Sequence, residues 1–242
     1  MPFNPSIPVA SRLRMLENDT HWTAQTAIQA VTSGIAGQVA LVSSFGADSV
    51  VLLHMVSQIK ADLPVVFVDT EMLFPATLTY QKQLANDLGL SNILHITPNR
   101  GDVFDRDNEG LLHLADTDAC CALRKSEPLA RALNEFDGWI TGRKRHQSQA
   151  RAELPLWEND NDVRLKINPL FDWSRAQLQD YISDHNLPRH PLVAQQYPSI
   201  GCAPCTYRVK LGFDPRSGRW AGQQKTECGI HLPDPKRRKG AA

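Results

Sequence analysis

Val39-Ala40-Leu41-Val42-Ser43-Ser44-Phe45-Gly46-Ala47-Asp48-Ser49, VALVSSFGADS, decides the fold. An apolar run, Val39 to Ser43, enters a loop of small residues, and the stretch from Asp48 to Ile59 has helical spacing. That is a strand–loop–helix unit. The same order returns downstream: strand Val65–Asp69, a loop with Phe74-Pro75, a helix over 76–88 stopped by Gly89, and strand Ile93–Ile96. A helix over 119–136 and a strand Trp139–Thr141 continue the pattern. Short apolar strands alternating with helices predict a doubly wound, mostly parallel α/β sheet covered on both faces. Ligands of such sheets bind at the carboxyl ends of the strands, where these loops gather.

Working outward, residues 1–18 carry three prolines and read as a loosely attached arm, followed by a helix over 19–33 that stops at Gly34. A further helix starts near Asp172 or Ser174 and ends at Asn186-Leu187-Pro188. Beyond residue 200 proline is frequent and periodicity weak, which predicts an irregular segment folding back over the sheet and ending in a mobile tail. The reading is therefore one domain: arm 1–18, α/β core 19–200, and C-terminal segment 201–242.

A chain of 242 residues buries a core without covalent staples. Its 26 basic and 26 acidic residues balance, so the overall field argues against nucleic acid or an anionic membrane as partner. No apolar run approaches the roughly 18 residues of a membrane span, and MPFNPSIPVASRLR lacks a signal-peptide core. A cytoplasmic location is the default expectation. There, five cysteines read as metal ligands plus a reactive thiol rather than as disulfides.

Four motifs can carry chemistry. The loop SSFGADS, with Ser43 and Gly46, offers backbone N–H groups and a helix N-terminus to a phosphate. It lacks the spacing and the Lys-Ser/Thr pair of a Walker A loop, and a plain βα turn would look the same. CCALRK brings Cys120 and Cys121 beside Arg124 and Lys125, and GCAPCT adds Cys202 and Cys205. Four thiols match tetrahedral zinc or a [4Fe-4S] cluster; the adjacent pair favours a cluster, with unmetallated thiols the plain alternative. The terminal ECGIH holds a fifth cysteine, Cys228, and His231 near the basic run Lys236–Lys239, which would lower a nucleophile's pKa unless it is merely a surplus thiol. Cationic runs TGRKRHQSQAR, with Arg143, and DPRSGR, with Arg216 and Arg219, are either solvated surface or an anion site.

In this order the motifs SSFGADS, VDTEMLFPATLTY, CCALRK, TGRKRHQS, INPLFDWS, YPSIGCAPCT, DPRSGRW and ECGIH resemble the assimilatory sulfonucleotide reductases, and among them the iron–sulfur adenylyl-sulfate (APS) reductases. The resemblance runs from about Leu41 to His231. It implies a fold like the PP-loop adenine nucleotide alpha hydrolases. It also implies one [4Fe-4S] cluster on Cys120, Cys121, Cys202 and Cys205, and attack by Cys228 on the substrate sulfur. Lys125 would lie between cluster and substrate. Arg216, Arg219 and His231 would hold the phosphosulfate. The reductant would be thioredoxin or a glutaredoxin-like dithiol, and the family habit is a homo-oligomer.

The chain departs from the pattern at Phe45, where family loops often carry a small residue, and before Cys228, where the usual tryptophans are missing. Three rivals remain. A reductase for the 3′-phosphorylated substrate (PAPS), or for both, would share the tail, although PAPS-restricted enzymes generally lack the four cysteines. A PP-loop ATP pyrophosphatase would release pyrophosphate. A zinc-stabilised binding protein would be colourless.

Overall fold

The computed structural model describes residues 4–19, 21–222, 225, 227 and 229–231, the last by its backbone alone. Cys228, the side chain of His231 and the tail expected to be mobile lie outside the described residues. Two N-terminal helices, α1 (Val9–Glu17) and α2 (Ala24–Ala30), precede β1 (Val39–Val42). The chain then alternates through α3 (Ser49–Lys60), β2 (Val65–Val68), α4 (Pro75–Asp87) and β3 (Ile93–Ile96). Helices α5 (Arg100–Asp107), α6 (Leu112–Ala115), α7 (Thr117–Cys121) and α8 (Glu127–Ala132) lead to β4 (Gly138–Thr141). Strands β5 (Trp157–Asp160) and β6 (Arg164–Ile167) and helix α9 (Arg175–Asp184) complete the regular elements.

The six strands form one sheet in the order β3-β2-β1-β4-β6-β5. All neighbours are parallel except β5 on β6. The chain steps outward from β1 to β3 and then returns to the other side of β1 with β4. The topological switch therefore falls between β1 and β4, where loops diverge and leave a crevice.

Strand alternation sorts the core onto two faces. Leu41, Val65, Phe67, Ile140, Leu165 and Ile167 join one buried cluster with residues of α2, α3, α4 and α9. Ala40, Val66 and Trp139 face the other way, against Leu129 and Leu133 at α8. Among the described residues no helix is long and apolar enough to cross a membrane.

The stretch read as a loose arm is attached. Val9 and Leu16 of α1 are buried, the Trp22 indole donates to the Leu16 carbonyl at 2.9 Å, and its ring meets Trp157 edge-on at 5.3 Å. The helix expected over 19–33 starts only at Ala24, where the Thr23 hydroxyl accepts from the Thr26 N–H at 3.2 Å. It ends in a wide π turn, Val31–Ile35, broken at Gly34 with φ 100°. The helix expected over 119–136 is a column with a second π turn, Ala122–Ser126, between α7 and α8. Pro128 cannot donate a bond back to residue 124, so the column widens there. That widened turn carries Lys125.

Candidate functional site

At the switch point lies a cavity of about 240 Å³. Its floor is the loop after β1 and the loop after β4. Phe45 turns the first loop with φ 48°, and its fully buried ring packs edge-on against Phe67 at 5.4 Å. The aromatic residue that departs from the family pattern is thus the loop's anchor in the core. Local bonds set the remaining shape: the Phe45 N–H donates to Ser43 Oγ at 3.2 Å and the Gly46 N–H to Ser49 Oγ at 2.9 Å. Both Ser43 and Gly46 line the cavity.

The second loop supplies cations. Arg143 lines the cavity, and its guanidinium is tied to Glu158 and Thr141. Lys144, which the sequence did not single out, is buried beside it, donating to the Gly142 carbonyl at 2.9 Å and lying 3.8 Å from Asp48. Burial lowers its pKa; Arg151 and Arg216 push it the same way, and Asp48 opposes them. Arg151 is also buried and also unforeseen. Both residues sit inside the quoted TGRKRHQSQAR, but charge alone could not tell which members face inward.

The C-terminal segment forms the opposite wall. An antiparallel bridge joins Cys202 to Leu73, the Ala203 N–H donates to the Met72 carbonyl at 2.7 Å, and a second bridge joins Thr206 to Arg219. These contacts bring Arg216 and Arg219 to the cavity. The Arg219 guanidinium lies over the Trp220 ring at 4.5 Å and against bare Gly201, where an added Cβ would overlap it. Among the described residues its buried Nε has no hydrogen-bond partner.

Behind this wall, Cys120, Cys121, Cys202 and Cys205 line one small pocket with Thr70 and Arg124. Asp116 caps α7 by accepting from Asp118 and Ala119 at 3.0 and 2.9 Å, and the cysteines end that helix. The buried Arg124–Asp107 pair at 2.9 Å fastens the preceding helices to the column. Burial, then the Cys121 and Cys202 charges, push the Cys120 thiol up to about 12. Burial also raises Cys205, reinforced by Cys202 and Cys121. For Cys202 burial acts upward, but Lys125, the Thr70 hydroxyl 3.2 Å away and Arg219 outweigh it and the pKa falls. Among the described residues no group of three or more His, Cys, Asp or Glu side chains converges as ligands of one metal ion. Lys125 alone, among the described residues, lines both the cavity and the thiol pocket.

Isolated described residues beyond Gly222 reach both sides. Lys225 pairs with Asp118, and the Glu227 carboxylate accepts from Ser148 at 2.7 Å and Arg151 at 2.5 Å. Ile230 packs on the α8 face of the core, and Gly229 sits against Ser126.

A mostly parallel sheet with a cation-lined cavity at its switch point is a nucleotide-fold architecture of PP-loop type. The chain belongs to the phosphoadenosine phosphosulfate reductase family, whose domain model matches residues 38–208. It is 47% identical over 231 residues to the adenosine 5'-phosphosulfate reductase of Chelativorans sp., covering 93% of this chain and 94% of that one. It is 52% identical over 195 residues to the enzyme of that name from Mesorhizobium japonicum, covering 81% and 76%. The crystal structure of a phosphoadenylyl-sulfate (PAPS) reductase from Candida auris, a phosphate complex, superposes with a TM-score of 0.67 at 25% identity, covering 86% of this chain and all of that one. An FMN adenylyltransferase from Candida glabrata shares the fold alone, with a TM-score of 0.55 at 14% identity.

Proposed function

We propose that this chain reduces adenylyl sulfate to sulfite and AMP, with Cys228 as nucleophile and reduced thioredoxin as electron donor. The observation that carries the reading is Lys125, shared by an arginine-lined anion cavity and a pocket of four thiols. The relatives of 47% and 52% identity, named for the non-3′-phosphorylated substrate, support the choice of APS.

The chemistry follows from charge. The Cys228 thiolate attacks the sulfate sulfur; a sulfur–sulfur bond forms, the sulfur–oxygen bond to phosphate breaks, and AMP leaves with that electron pair. Negative charge gathers on the departing phosphate, so Lys125, Arg216 and Arg219 stabilise the transition state more than the ground state. A thiolate of the reductant then attacks Cys228 Sγ and expels sulfite with the bonding pair. The reductant's second thiol resolves the mixed disulfide and returns Cys228 to its thiolate. Two thiols become one disulfide, and sulfur gains two electrons.

Four cysteines on two elements, brought to one pocket, fit the donor set of a [4Fe-4S] cluster. Cys120, Cys121, Cys202 and Cys205 would hold it. When bound, the cluster would supply negative charge to the thiol pocket that Lys125 also lines. The ammonium group of Lys125 then serves as the positioned cation facing the phosphosulfate, and His231 joins the substrate side by its place in ECGIH.

The test is sulfite release from APS and from PAPS, with reduced thioredoxin, by brown protein purified without air. Wild type is expected to turn over APS, and Cys228→Ser to lose at least about a thousandfold in rate, the scale seen when a covalent nucleophile is removed. Turnover by Cys228→Ser at the wild-type rate would falsify the mechanism, and turnover of PAPS alone would reassign the substrate.

A further inference from the structure

We infer that Glu158 and Asn168 are positioning residues that aim the Arg143 guanidinium into the cavity, through a buried relay of directed hydrogen bonds ending on Thr141. The inference rests on the proposed function for its kinetic consequence, but the relay itself is a matter of contacts.

Strand alternation brings the partners to one face of the sheet. Glu158 on β5 stands opposite Lys166 on β6, and Lys166 opposite Trp139 on β4. Two residues further along each chain path, Thr141 and Asn168 return to that face, where β4 and β6 end. Asn168 belongs to INPLFDWS, the motif that the mechanism leaves without a task. It is fully buried and its backbone is fixed as well: its N–H donates to the Leu156 carbonyl at 2.8 Å, and its carbonyl accepts from the Phe171 N–H at 3.0 Å.

The side-chain bonds run in one consistent direction. Asn168 Nδ2 donates to the Pro155 carbonyl at 2.9 Å and to Glu158 Oε2 at 2.7 Å. With acceptors on the nitrogen, Oδ1 faces Thr141, whose hydroxyl donates its only proton there at 2.8 Å. Thr141 Oγ1 can then only accept, and it does so from the Arg143 backbone N–H at 3.3 Å and from Arg143 Nε at 3.4 Å. Glu158 Oε2 also accepts from Arg143 Nη2. One edge of the guanidinium, Nε with Nη2, is therefore held before any ligand arrives. Arg143 and Thr141 line the cavity whereas Glu158 and Asn168 do not, so the outer pair touches an anion there only through the inner one. A cation fixed in advance loses little rotamer freedom on binding and needs no reorganisation as charge develops.

A residue that only stabilised the fold would change AMP binding by the same factor with or without Arg143. A positioning residue acts only while Arg143 is present, and a double-mutant cycle separates the two. By calorimetry we expect Asn168→Ala to weaken AMP about fivefold and Arg143→Ala about tenfold, the scale of bonds to a charged group. The double variant should be about tenfold weaker, not the roughly fiftyfold of independent sites. Glu158 lies on the edge strand and is partly exposed, so Glu158→Ala supplies a second variant should Asn168→Ala fail to fold. It is expected to weaken AMP about threefold or more, again only with Arg143 present. Both single variants should lower kcat/KM for APS by about the factors they lower AMP affinity. In the ligand-free protein, the Arg143 Nε–H signal, assigned by its loss in Arg143→Ala, should exchange with water about tenfold faster in either variant by NMR.

Additive losses in the cycle, or an unchanged exchange rate at Arg143, would overturn the inference. Tighter AMP binding by Glu158→Ala would overturn it too, because that marks a carboxylate that merely neutralises Arg143. The NMR arm needs no ligand and the AMP arm no turnover, so both test the relay even where wild type fails to release sulfite from APS. That latter result would strike the proposed function instead.

Discussion

The two walls of the cavity are held by different forces. The floor, at the ends of β1 and β4, stands on a continuous ladder and on side chains of which Phe45, Phe67, Ile140 and Leu165 are fully buried. Among the described residues the C-terminal wall, from Gly201 onward, has no long element. Single-residue bridges, isolated backbone hydrogen bonds such as Tyr207 N–H to the Gly218 carbonyl at 2.8 Å, close contacts at Gly201 and Gly218, an ion pair and the buried Trp220 ring keep it in place. Many weak apolar contacts are cooperative and tolerant, whereas a few polar points act one by one. Damage to the floor should therefore appear as lost stability, and damage to the wall as lost chemistry in a folded protein.

The largest expected effect tests the floor. Leu165 on β6 is fully buried in the main core, so Leu165→Ala should cost about 3 kcal/mol by denaturant titration through lost transfer energy and the cavity left behind. Surviving protein should keep its turnover number per folded molecule; a selective loss of activity without loss of stability would break the comparison. The next effect tests the wall. Gly201→Ala places a methyl group where the Arg219 guanidinium lies, and that flexible end can move aside. We expect kcat/KM to fall about tenfold, less than for outright removal of a transition-state donor, with Tm within about 2 °C of wild type. Full activity would show that the position of Arg219 is unimportant.

The floor was legible in sequence and much of the wall was not, for reasons visible in particular residues. Strands β1 to β4 are apolar runs bounded by loop residues, and their helices obey the 3.6 period. Strand β6 was missed because Arg164 and Lys166 alternate with Leu165 and Ile167, a pattern that reads as surface. In the fold all four are buried, with Arg164 donating to the Leu133 carbonyl at 2.7 Å and Lys166 lying 4.9 Å from the centre of the Trp139 ring. The hairpin turn was available: Asn161 and Asp162 both take positive φ, 56° and 58°, as their type does most readily. At the site, Ser43, Gly46, Lys125, Arg143, Arg216 and Arg219 all line one cavity. Lys144, Arg151 and Glu227 were not separated from their charged neighbours, because burial at a loop depends on what folds over it. No periodicity encodes that.

The smallest effect lies at the seam between the two walls and sharpens where one regime gives way to the other. His190 follows α9 and is buried against α4, with Nε2 3.0 Å from Thr77 Oγ1 and Nδ1 accepting from the Leu192 N–H at 3.2 Å. Beside it the Tyr80 hydroxyl donates to the Pro188 carbonyl at 2.8 Å. An accepting Nδ1 fixes the proton on Nε2, so the ring is neutral, and burial depresses its pKa from 6.5 to about 4. In the unfolded chain the ring takes up a proton that the folded protein refuses. The stabilising contribution is therefore complete above pH 6.5 and is lost progressively as pH falls toward 4. Tm of wild type should fall more steeply than that of His190→Asn over this window, since asparagine does not titrate. Equal slopes in the two proteins would mean that the seam, like the floor, is held by packing alone. A steeper slope in wild type would assign it to the regime of single polar contacts that governs the wall.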